Sequence, residues 1–88
     1  MTKKEVGTLK DLYLQACVRK ERAADSLVRA REDGEWLTDK AMSHAIATAK
    51  QVAIMDVMMA FFDDATIDAI EEEAWNRYQA DPTAFTED

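Results

Sequence analysis

The stretch IMDVMMAFFDD, Ile54 to Asp64, decides how this chain folds. It is apolar almost all round a helix, holds one carboxylate at Asp56 and ends on an acidic pair. The apolar run from Val52 to Phe62, broken by Asp56, falls well short of the roughly 20 residues that cross a bilayer. The segment must therefore pack against protein. At 100° per residue it presents two apolar faces. Val52, Ala53, Met59 and Ala60 prolong a stripe begun by Met42, Ala45, Ile46 and Ala49, and this stripe is expected to face the preceding helix. Ile54, Met55, Met58, Phe61 and Phe62 point to the other side and need a cover, because a large apolar patch left in water is a liability. The cover is either the last helix of the same chain or a second copy packed across a two-fold axis. Met55, Met58, Phe61 and Phe62 are thus assigned as core or dimer contacts.

The residues after Phe62 set the number of helices. Ile67, Ile70, Ala74 and Tyr78 stay in phase with the earlier stripe, and no glycine or proline forces a break at FFDDAT. An acidic pair is nevertheless a better helix cap than a helix interior, so a break with Asp63 or Asp64 as cap is favoured over one long helix. One long helix would make dimerisation almost compulsory. Asp81-Pro82 ends the last helix. Residues 1–81 form a single helical domain, and PTAFTED, residues 82–88, is a tail expected to fray.

Upstream, MTKKEV offers a capping box from Thr2 to Glu5, with Met1 and Val6 as a staple, although Gly7 weakens the turn and delays a settled helix to after Thr8. Val6, Leu9, Tyr13, Ala16, Ala23, Ala24 and Leu27 share one face with Lys20 in its middle. Gly34 is a natural stop, and Thr38 is expected to cap the second helix, with Leu37 stapled onto Met42. The short connection makes the first two helices antiparallel neighbours. Lys20 and Asp56 then come within reach of each other and are expected to pair across the interface; the alternative is that Lys20 snorkels to water past Ala16 and Ala23.

Composition agrees with an all-α chain. Of 88 residues, 48% are apolar and 33% charged, and only two glycines and one proline are available for turns, too few for a β-rich fold. The expected architecture is an antiparallel helical hairpin plus a C-terminal helix, a three-helix bundle if the break holds. The single cysteine, Cys17, gives no intramolecular disulfide, and Met1 to Leu14 lacks the apolar core of a signal peptide. A cytoplasmic protein is expected.

Charge is segregated. From Asp56 onward ten acidic residues face only Arg77, whereas the preceding residues hold ten basic and eight acidic side chains. The net charge of −7, and the acids interleaved with Arg19, Lys20, Arg22, Arg29 and Arg31, argue against direct nucleic-acid binding. Asp64, Asp68 and Glu72 recur every four residues, about 6 Å per step, on one helical face. With Trp75 as an aromatic anchor they are the candidate partner-binding residues, suited to a basic protein surface. Trp36, in the loop, is a second candidate anchor. Lys3, Lys4 and Lys10 are expected near Asp63, Asp64 and Asp68.

No residue constellation suggests chemistry. His44 is the only histidine and has no carboxylate or cysteine at supporting spacing, so no catalytic residue, metal ligand or cofactor site is assigned. Glu-x-x-His pairs of helical di-metal sites are missing from EEEAW, and the methionines suit packing better than a soft metal. The expected function is that of a small acidic interaction module, a homodimer that binds a basic partner protein as an inhibitor or adaptor. Such a chain suits a phage or mobile-element protein that disables a host enzyme or defence factor. The alternatives are a nucleic-acid mimic built on the acidic half, and a structural or assembly component.

Overall fold

The computed structural model describes residues 1–34 and 37–86. It contains α1 (Lys3–Glu32), α2 (Thr38–Phe61) and α3 (Asp64–Ala80), with no strand among the described residues. The first helix starts at once: Thr2 Oγ1 accepts from the Glu5 amide at 3.1 Å, and the Glu5 carboxylate reaches back to Thr2. This reciprocal cap holds the first turn, so Gly7 lies inside α1 rather than delaying it. Gly34, at φ 70°, takes the left-handed conformation that ends a helix without a Cβ penalty.

Thr38 does not cap α2. Leu37 occupies the cap position in helical backbone geometry, with no side-chain hydrogen bond, so Thr38 is already the first helical residue. Leu37 and Met42 are both exposed. Glu35 and Trp36 lie outside the described residues, so the anchor expected at Trp36 does too.

The break at the acidic pair is real. Phe62 turns into extended backbone, and Asp63 Oδ1 accepts from the Thr66 amide at 2.9 Å to start α3. These hydrogen bonds to Thr66 hold the Asp63 carboxyl below its ordinary pKa, with Lys10 adding a smaller pull.

α1 is the central helix, packed against both others, while α2 and α3 barely touch. Gln51 reaching Cys17, and Lys10 lying over the Phe62 ring, set α2 antiparallel to α1. Tyr78 bonding Asp25 at the far end sets α3 parallel to it. The core consists of Tyr13, Leu14, Cys17 and Val18 from α1, Met58 from α2, and Ile67, Ile70, Ala74 and Tyr78 from α3, with Ile54, Met55 and Phe62 against it. Leu14 and Val18 lie off the expected α1 stripe because they serve α3.

α2 is rotated relative to expectation. Met58 is fully buried, and Ile54, Met55 and Phe62 share its side; Val52, Ala53, Met59 and Ala60 are exposed. Both faces are apolar, but one offers Ile54, Met55, Met58 and Phe62 where the other alternates Val52 and Met59 with Ala53 and Ala60, and the bulkier face fills more core volume. Phe61 alone of the four assigned core or dimer contacts points outward.

The same rotation separates Lys20 from Asp56. Asp56 is exposed, and Lys20 instead lies 3.7 Å from Glu21 beside it, half-exposed. The expected interhelical pair is absent among the described residues. No helix is long and apolar enough to cross a membrane among the described residues.

Candidate functional site: the outer face of α3

α3 is an amphipathic helix whose inward side is fixed by Ile67, Ile70, Ala74 and Tyr78 against α1. Its 3.6-residue period therefore turns Asp64, Asp68, Glu72 and Trp75 outward together, and all four are exposed. The structure thus brings the expected partner-binding residues onto one surface. Trp75 is 51% exposed, a large aromatic area left in water between carboxylates.

The neighbouring cations are engaged elsewhere. Arg77 pairs with Glu73 at 3.6 Å and stacks on Phe85, and Lys10 sits 5.3 Å from the Phe62 ring centre. Among the described residues, Asp64, Asp68 and Glu72 have no ion-pair partner, and Lys3 and Lys4 form no bridge to them. The field of this face is negative and uncompensated, suited to steering a positive surface toward it.

The helix carrying this face is anchored at its far end by Tyr78, whose hydroxyl donates to Asp25 Oδ2 at 2.7 Å; Asp25 also holds Arg29 at 3.4 Å. Burial, and the bond to the Asp25 carboxylate, raise the Tyr78 pKa. Beyond Tyr78 the described chain, as far as Thr86, folds back along α1 rather than fraying. Asp81 caps a turn through Thr83, and Arg22 donates to the carbonyls of Pro82, at 3.0 Å, and Ala84. Arg19 Nε donates to the Phe85 carbonyl at 3.3 Å. These bonds hold Phe85 against the core in a left-handed backbone conformation, φ 59°. The docked segment borders a cleft of about 670 Å³ between α1 and α2, whose walls include Leu12, Ala16, Ile46 and Ile54. The sequence signal for docking was Phe85 itself, an aromatic among small and acidic residues.

Inside the core the polar groups do not converge on any cleft. Cys17 is buried, which raises its thiol pKa, and accepts a 3.6 Å contact from Gln51. Tyr13 is fully buried, and among the described residues its hydroxyl makes no hydrogen bond of good geometry, with Cys17 and Gln51 as its polar neighbours. Burial first, then the nearby Cys17 and Glu71, push its pKa up. His44 is half-buried on α2. Among the described residues no group of three or more His, Cys, Asp or Glu side chains is placed to hold a metal ion. No family model, curated protein or solved structure matches this chain.

Proposed function

We propose that this chain is a protein-interaction module, an inhibitor or adaptor, whose working surface is the outer face of α3. The observation that carries the reading is a half-exposed Trp75 set among three carboxylates with no cation opposite them among the described residues. An exposed tryptophan supplies the apolar anchor that interface hot spots favour, and the carboxylates supply orientation and encounter rate. The partner is a protein with a basic surface and an apolar pocket, and the module binds it rather than transforming it. A cytoplasmic setting and a host enzyme or defence factor as target fit this design.

The second reading is nucleic-acid mimicry, favoured by the regular carboxylate row Asp64, Asp68 and Glu72. It differs in what it needs from Trp75. The test is affinity capture by the immobilised full chain, followed by measured affinities for the captured protein. Trp75→Ala is expected to cost at least about 2 kcal/mol of binding. Neutralising the row (Asp64→Asn, Asp68→Asn, Glu72→Gln) is expected to flatten the salt dependence. Loss of binding on neutralisation with Trp75→Ala silent supports the mimic. Indifference to both changes excludes this face. A component that assembles beyond a dimer without any partner would instead be structural.

A further inference from the structure

The outward face of α2 is an apolar surface that the α3 reading leaves unused. Met42, Ile46, Val52 and Met59 are each about half exposed there, with Ala45, Ala49, Ala53 and Ala60 between them. The spacing is a heptad. Met42, Ala49 and Asp56 recur every seven residues, and so do Ala45, Val52 and Met59 three positions later, as in the a and d positions of a helix seam. Ala60 widens it, while Ile46 and Ala53 stand at its edge, where they also line the cleft against α1.

We infer that this face pairs antiparallel with the same face of a second copy, α2 against α2. Three observations select that occupant. The first is charge. A chain of net charge −7 repels its own copy except where charge is least, and from Ala41 to Ala60 only Lys50 and Asp56 are charged. A basic partner would gain nothing here and would choose α3.

The second is the register. Reversing one helix against the other sets Met42 opposite Met59, Ala45 opposite Asp56 and Ala49 opposite Val52, so every seam position finds a seam position. Ala49 then meets Val52, the methionines close the two ends of the seam, and the alanine opposite Asp56 leaves its carboxylate room for water. A parallel pair would stack Asp56 on Asp56 and leave a gap at Ala49.

The third is area. Met42 to Met59 spans about 26 Å, and a strip of that length covering somewhat under half the helix circumference is about 400 Å² per copy. The pair then buries about 800 Å², the size of a weak dimer that forms as the chain is concentrated. The dimer is independent of the partner-binding reading, since none of its residues lies on α3.

Light scattering on the full chain from about 1 to about 200 µM is expected to show twice the 10.0 kDa chain mass at the upper end. Val52→Glu, at a position exposed in the single chain, is expected to raise the dissociation constant about 10²- to 10³-fold while far-UV circular dichroism stays unchanged. Should that variant lose helical signal, Ala49→Lys on the same seam is measured in its place. Direction is read by oxidative cross-linking. Met42→Cys and Met59→Cys chains are expected to cross-link when mixed and not when alone, because like positions lie about 26 Å apart in the antiparallel pair. A monomer throughout the range, or a dimer indifferent to both seam variants, overturns the assignment. Self-cross-linking of either single variant overturns the direction.

Discussion

Met58 and Met59 are neighbours in sequence and opposites in burial, which makes them a direct probe of how α2 is turned. Met58 is 0% exposed, in the core with Tyr13, Val18 and Ile67, whereas Met59 is 59% exposed. Truncating Met58 to alanine removes the transfer free energy of its side chain and leaves a cavity between three helices, together about 2–5 kcal/mol. A domain of this size has about 5–13 kcal/mol in total, so a central loss of about 3 kcal/mol removes a quarter to more than half of it. The corresponding fall in Tm is about 12–24 °C. Met59→Ala removes little that is buried within one chain and is expected to cost under about 0.5 kcal/mol. Urea unfolding monitored by circular dichroism, at a concentration low enough to keep the chain monomeric, reads both losses against an unchanged m-value. If Met59→Ala costs as much as Met58→Ala, the rotation of α2 is wrong, and the alanine stripe faces α1 after all.

The polar groups give further tests. Tyr13→Phe is expected to leave stability unchanged or raise it by about 1 kcal/mol in urea unfolding, because the hydroxyl it removes is buried with no hydrogen bond of good geometry among the described residues. Both tyrosines have folded pKa values above the ordinary 10.0. Their contribution to stability is therefore complete below pH 10.0 and lost as pH rises through the folded values, so spectrophotometric titration should show tyrosinate appearing only as helicity falls. Asp63 has the opposite sign. Its pKa lies below the ordinary 3.8, so its contribution is present above that pH and lost as pH falls through the folded value; Asp63→Ala should make acid unfolding less steep. Arg22→Ala removes two of the hydrogen bonds that hold the docked tail, leaving that from Arg19, and is expected to cost about 1–2 kcal/mol, visible as faster carboxypeptidase trimming past Phe85.

The elements of the fold were legible because local signals agree with one another. Thr2 with Glu5, Gly34, Asp63 and Asp81-Pro82 are punctuation whose physics is local, and the break at FFDDAT comes from the cap alone. The acidic face of α3 was legible for a related reason: Ile67, Ile70, Ala74 and Tyr78 leave no doubt which side is inward. α2 was not, because it is apolar on two sides and periodicity gives the period without the phase. Side-chain volume carried the missing information, with Ile54, Met58 and Phe62 on one side and the alanines on the other. That single error also created the Lys20–Asp56 pair, since a helix turned the other way would have brought Asp56 inward. Leu14 and Val18 were missed because a central helix must serve two neighbours, and a search for one stripe finds only one. The docked tail depends on Arg19 and Arg22, some sixty residues away, which no local pattern links to Phe85.

The central claim is that α2 turns its bulky side inward and leaves the Met42–Met59 seam open. Methionine oxidation by dilute peroxide, read residue by residue by mass spectrometry at low and high protein concentration, tests it most directly. The structure predicts that Met58 resists at every concentration, while Met42 and Met59 oxidise readily in dilute solution and become protected as the chain is concentrated. Oxidation of Met58 at the rate of Met59 in the folded chain would contradict it.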